Sequence, residues 1–117
     1  MVTLLEHKGK QILIVDYSHA RGDELITVFD EAKSLVFERD LYVYSLTIWN
    51  EKSYVSPNYL NHIKKELPLI DYRIKKQAIM GVSKVQKWIL RAVNAWYGEK
   101  LKLVESKEEA LRYFDED

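Results

Sequence analysis

The spacing of apolar residues changes several times along the chain, and each change marks an element. Val2–Glu6 alternates weakly, as an edge strand does. Lys8-Gly9 can turn the chain, and Gln11–Asp16 follows with the unbroken run Ile12-Leu13-Ile14-Val15, which predicts a central strand covered on both faces. Asp23–Glu38 places Leu25, Val28, Phe29, Ala32, Leu35 and Val36 on one helical stripe. Tyr42–Trp49 is aromatic and β-branched and reads as a strand, with Tyr42, Tyr44, Leu46 and Ile48 on one face and Val43, Ser45, Thr47 and Trp49 on the other.

Ser56-Pro57 predicts a capped helix start; Tyr59, Leu60, Ile63 and Leu67 form its apolar side, and Pro68 is expected to stop it. Gln77–Val82 predicts the next strand, and Ser83 with Gln86 forms a capping box. Val85, Trp88, Ile89, Ala92 and Trp96 make the stripe of that helix, which Gly98 ends. Leu101–Val104 is a short strand. Ser106 and Glu109 open a last helix packed by Ala110, Leu111 and Phe114, and Asp115-Glu116-Asp117 reads as a loose acidic tail.

The order is β-β-α-β-α-β-α-β-α. It predicts one α/β domain over residues 1–117, with a single mixed, mostly parallel five-stranded sheet and helices on both faces. The edges at Val2–Glu6 and Leu101–Val104 could pair two copies as a homodimer.

Composition narrows the function. With 117 residues, 47% of them hydrophobic, the chain can bury a core without staples. It has no cysteine, which removes disulfides, thiol nucleophiles and iron–sulfur ligation, and suits a reducing cytoplasm. Met1–Glu6 lacks the features of a signal peptide, and the longest apolar run is far too short for a membrane span. Net charge is zero, which argues against a dedicated nucleic-acid binder. Its distribution is uneven: residues 1–60 carry 6 basic and 9 acidic side chains, residues 61–117 carry 12 and 9.

Several segments carry a family resemblance. They are His7-Lys8-Gly9-Lys10 before Ile12-Leu13-Ile14-Val15-Asp16-Tyr17-Ser18, then Gly81-Val82-Ser83 leading into Val85-Gln86-Lys87, Ala92-Val93-Asn94, and Leu101-Lys102-Leu103 with its closing helix. With the element order, they make the chain resemble the SpoIIAA-like branch of the STAS superfamily, which is related in shape to Sec14-type lipid-binding domains. The resemblance implies a small α/β domain that binds protein partners in bacterial regulation, as anti-sigma-factor antagonists do. Those relatives are switched at a serine in an Asp-Ser-Ser segment. Here the corresponding stretch is Thr47-Ile48-Trp49-Asn50-Glu51-Lys52-Ser53, so the phosphorylation site is not carried over.

Ligands of a parallel sheet gather outside the strand carboxyl ends. That rim nominates Asp16, Ser18, His19, Asn50, Ser83 and Lys84 as ligand-binding candidates, for a small anionic or lipid-like molecule. Ser18 and His19 are adjacent and point apart in extended chain, and no nucleophile elbow is present, so no catalytic residue is nominated and the chain is not read as an enzyme. His7, His19 and His62 lack metal-ligand spacing, and no cofactor is implied. Lys84, Lys87 and Arg91 share a helical face that could dock an acidic partner, joined by Arg73, Lys75 and Lys76. The expectation is a cytoplasmic regulatory protein-interaction module, with a small-ligand binder at the rim as the alternative.

Overall fold

The hairpin that opens the chain turns on Lys8 (φ 50°) and Gly9 (φ 79°), the two positive-φ positions that a two-residue primed turn requires. It joins β1 (Val2–His7) to β2 (Lys10–Asp16) with His7 opposite Lys10. The computed structural model describes residues 1–50, 55–97 and 101–116, with the side chains at 84–86, 88, 89, 92 and 96 outside that description. α1 (Glu24–Glu38), β3 (Val43–Ile48), α2 (Pro57–Ile70), a 3₁₀ turn (Asp71–Arg73), β4 (Ile74–Met80), α3 (Lys84–Tyr97), β5 (Leu101–Leu103) and α4 (Lys107–Asp115) follow. The 3₁₀ turn is absent from the expected order.

The five strands form one mixed sheet in the order β1-β2-β3-β4-β5, with β1 antiparallel to β2 and the other neighbours parallel. Alternation along the strands divides the core. Leu13, Val15 and Val43 pack with Leu25, Val36, Ile63, Leu67, Val93 and Tyr97 of α1, α2 and α3. Ile12, Leu46 and Ala78 face the other way, onto Ala110 and Phe114 of α4. Three helices therefore cover one face and α4 covers the other.

Four expectations need correction. Pro68 does not stop α2, which continues to Ile70. A proline inside a helix costs about 3 kcal/mol. Leu67 and Ile70, 7% and 4% exposed, sit in the core on either side of it. Each buried aliphatic side chain contributes about 1.5–3 kcal/mol, so their burial offsets the penalty. The next strand is Ile74–Met80, not Gln77–Val82. A register shift at Val43/Tyr44, where Ile74 pairs with Val43 and Lys76 with Tyr44, disguises its start as a charged segment. Tyr42 and Trp49 lie just outside their strand, which runs Val43–Ile48. Asp23 lies just outside α1; its carboxylate makes no cap and instead accepts hydrogen bonds from Ser56 Oγ (3.1 Å) and Asn58 at the start of α2.

The acidic tail is also anchored. Asp115 belongs to the last turn of α4, with its oxygens 3.0 Å from His7 Nε2, 3.3 Å from Lys8 Nζ and 3.2 Å from Lys10 Nζ. The Lys76 ammonium donates to the Tyr113 carbonyl (2.9 Å) and to that of Glu116. Asp117 lies outside the described residues. The clamp ties the hairpin turn to the end of the chain. Hydrogen bonding from His7, then from Lys10 and Lys8, outweighs partial desolvation and holds the Asp115 carboxyl below the usual carboxylate range. A carboxyl depressed on folding adds stability that is fully present above its unfolded pKa, about 3.9, and lost as pH falls through the folded value. Asp115→Asn should therefore lower the thermal midpoint at pH 7, and the gap to the parent should shrink as pH falls below about 4. Parallel thermal scans at pH 7 and pH 3 check this; an equal gap at both would contradict it.

Candidate functional site

The strand carboxyl ends do meet on one rim. Tyr17 N donates to the Ile48 carbonyl (2.8 Å), Trp49 N to that of Met80 (2.9 Å), and Val104 N to that of Ile79 (2.9 Å). Asp16 uses its side chain to hold the rim, accepting from Ser18 N at 2.8 Å. Its backbone pairs with Met1 in both directions. Partial burial raises the Asp16 pKa, but the hydrogen bonds from Ser18 and the nearby terminal ammonium prevail and lower it, so the group is an anion at neutral pH. His19 is exposed, whereas Ser18, Asn50 and Ser83 are half-buried. The Ser83 carbonyl accepts the Lys87 amide and so opens α3. The side chain of Lys84 lies outside the described residues.

Beneath the rim is an aromatic cluster that the sequence reading did not single out. The Tyr17 ring stacks on Trp49 at 4.6 Å, and Tyr59 meets both edge-on at 5.5 and 5.9 Å. Tyr59 donates its hydroxyl proton to Tyr17 at 3.1 Å. Burial pushes both phenols above their ordinary pKa, so neither ionises near neutrality. Gly81 (φ 79°) lets the β4–α3 connection lie against this cluster; a Cβ there would stand 2.0 Å from the Trp49 carbonyl oxygen.

A cavity of about 110 Å³ runs from this cluster between the sheet and the three-helix layer. Most of its wall is aliphatic and aromatic; Ser45, Thr47 and Gln77 put polar groups on its floor. Gln77 Nε2 donates to the Tyr97 hydroxyl at 2.6 Å, and that hydroxyl donates in turn to Asp71. Desolvation first, and the bond to Asp71 second, keep Tyr97 protonated well beyond the usual phenol range.

The opposite end of the sheet carries a second constellation. Arg73, at the foot of β4, lies between the rings of Tyr42 (4.7 Å) and Tyr72 (5.2 Å). It contacts Asp40 Oδ1 at 2.6 Å and donates to the Leu41 carbonyl at 3.3 Å. Its Nε is buried with no hydrogen-bond partner among the described residues. Hydrogen bonds with Tyr72, then Asp40, keep the guanidinium protonated. The tyrosine rings stay open to solvent, Tyr42 at 54% and Tyr72 at 61% exposure, and the same end carries Leu69 (59%) and Phe37 (40%). The sequence offers Arg73 only as an extension of the basic α3 face, and Leu69 and Tyr72 pass as connecting loop if α2 ends before Pro68. The adjacent Tyr72-Arg73 pair was the available signal.

The expected basic face divides. Lys87 and Arg91 are exposed on α3. Lys76 reaches the end of α4 on the other side of the sheet, and Arg73 is held by Asp40, so neither extends the α3 face. His62 and Lys33 also serve as α1–α2 links, 2.7 Å from Asp30 and 3.5 Å from Glu66. No helix among the described residues is long and apolar enough to cross a membrane.

Comparison of the chain with protein-family models, with curated proteins and with solved structures finds no match.

Proposed function

We propose that this chain is a non-catalytic regulatory module of the STAS type that works in the cytoplasm by docking a protein partner. The observation that carries docking is the exposed Tyr42–Arg73–Tyr72 group, with Phe37 and Leu69 also exposed at that end of the sheet. Exposed apolar side chains gathered at one end mark interaction surfaces more often than scattered ones do. Tyrosine and arginine are also the residue types that dominate binding hot spots. Arg73 is pre-positioned by Asp40 and two rings, so little of its side-chain freedom remains to be lost on docking. The family part of the reading rests on the sequence resemblance and is supported by the antiparallel hairpin preceding three parallel pairings. The second docking face, Lys87 and Arg91 with Lys84, suits an acidic partner.

Affinity capture from the native cell with three forms of the protein separates the surfaces. Tyr42→Ala/Tyr72→Ala should leave the fold within about 1 kcal/mol of the parent, since both rings are exposed. It should weaken retention of the partner about 30-fold, corresponding to a hot-spot loss of about 2 kcal/mol. Lys87→Glu/Arg91→Glu should retain the partner. The reverse pattern would move the docking surface to α3 and overturn this assignment.

A further inference from the structure

We infer that the cavity between the sheet and the α1–α3 layer is a binding site for a small uncharged molecule, about the size of a single aromatic ring with at most one hydroxyl. This site is separate from the docking surface and does not depend on it. Well-packed interiors leave few voids larger than a water molecule. Here β2, β3 and β4 on one side and α1, α2 and α3 on the other leave about 110 Å³. An apolar cavity of about 150 Å³ accepts benzene or xenon, so a single ring is the upper limit for this smaller space. That volume excludes nucleotides and two-chain lipids.

The lining decides the chemistry. Tyr17, Trp49 and Tyr59 form an aromatic wall, in which the Tyr59 hydroxyl donates to that of Tyr17. Ser45, Thr47 and Gln77 offer the floor's hydrogen-bonding groups. Among the described residues of the lining the charged one is Lys33, which already pairs with Glu66 at 3.5 Å. A charged ligand would lose its hydration without gaining a counter-ion there. A neutral ring gains burial against the sheet and the helices, and one hydroxyl could meet the floor. The ligand proposed for this cavity is therefore distinct from the small anionic or lipid-like molecule expected at the rim.

Methyl-resolved NMR titration of the full chain with benzene, phenol and hexanoate tests the assignment. Benzene and phenol should give saturable shifts confined to lining methyls such as those of Leu13, Ile63 and Val93, and hexanoate should give none. Ala32→Leu, which extends a lining side chain of α1 into the space, should weaken benzene binding at least tenfold in a protein that still unfolds cooperatively. If that variant fails to fold, Val93→Ile, with one added methylene, should weaken binding by a smaller factor. Thr47→Val should spare benzene and weaken phenol. Absence of saturable shifts with benzene and phenol up to their solubility would overturn the site. So would binding that is unchanged in a folded cavity-filling variant, or binding of hexanoate in preference to the neutral probes.

Discussion

Gly81→Ala should be among the most destabilising single substitutions in this protein, by roughly 2–5 kcal/mol. Positive φ alone costs a non-glycine residue about 1–2 kcal/mol. At Gly81 (φ 79°) a Cβ would also stand 2.0 Å from the Trp49 carbonyl oxygen and 2.9 Å from its carbonyl carbon. Those are backbone atoms just past β3, fixed by the hydrogen bond from the Trp49 amide to the Met80 carbonyl, so they cannot swing aside as a flexible side chain would. Relief requires the β4–α3 connection to move away from the Tyr17–Trp49–Tyr59 cluster, and overpacking of this kind adds about 1–3 kcal/mol. Gly22→Ala is the internal control. Gly22 also has positive φ (57°), but its Cβ would meet nothing within 4 Å. Its loss should stay near 1–2 kcal/mol, the conformational part alone. Chemical denaturation of both variants measures the difference; equal losses would mean that contact with Trp49 does not set the constraint.

Phe114→Ala should lose about 3–5 kcal/mol, the usual range for deleting a buried ring. Phe114 is 1% exposed and packs with Ile12, Leu46 and Ala78 on the sheet face that α4 covers. Tyr44 and Tyr113 flank it at 5.5 and 5.9 Å. A loss of this size is a large fraction of the roughly 5–15 kcal/mol that holds a typical domain together. Its effect should extend to the Asp115 clamp, because Asp115 sits one residue further along the same helix turn. Losses from Phe114→Ala and Asp115→Asn should therefore fall short of additivity, as they do for coupled neighbours. The midpoint and slope of urea unfolding for the single and double variants test both statements. A loss under about 1 kcal/mol for Phe114→Ala would contradict packing of α4 on the sheet.

Much of the fold was legible because it is written in local chemistry. Ile12–Val15 reads as a doubly covered strand and does send side chains into both cores. Ser56 and Ser106 read as helix caps, and each accepts the amide three residues on. Misreadings arose where distant contacts overrule local preference. Pro68 stops a helix in isolation, but the burial of Leu67 and Ile70 carries α2 past it. Asp115 reads as part of a solvated tail, but three basic groups more than a hundred residues away hold it. The same limit governed the sites. Strand ends locate the rim, and the structure brings them together. The aromatic cluster, the cavity and the Tyr42–Arg73–Tyr72 stack each join residues from separate segments, so no single segment announces them.

Docking through the Tyr42–Arg73–Tyr72 end is the central claim, and site-specific photocrosslinking in the native cell tests it most directly. A photoreactive phenylalanine placed at Tyr72 should form one dominant covalent adduct with a protein partner, and the same group at Lys87 should form little or none. A dominant adduct at Lys87 with none at Tyr72 would contradict the claim and assign docking to the basic face of α3.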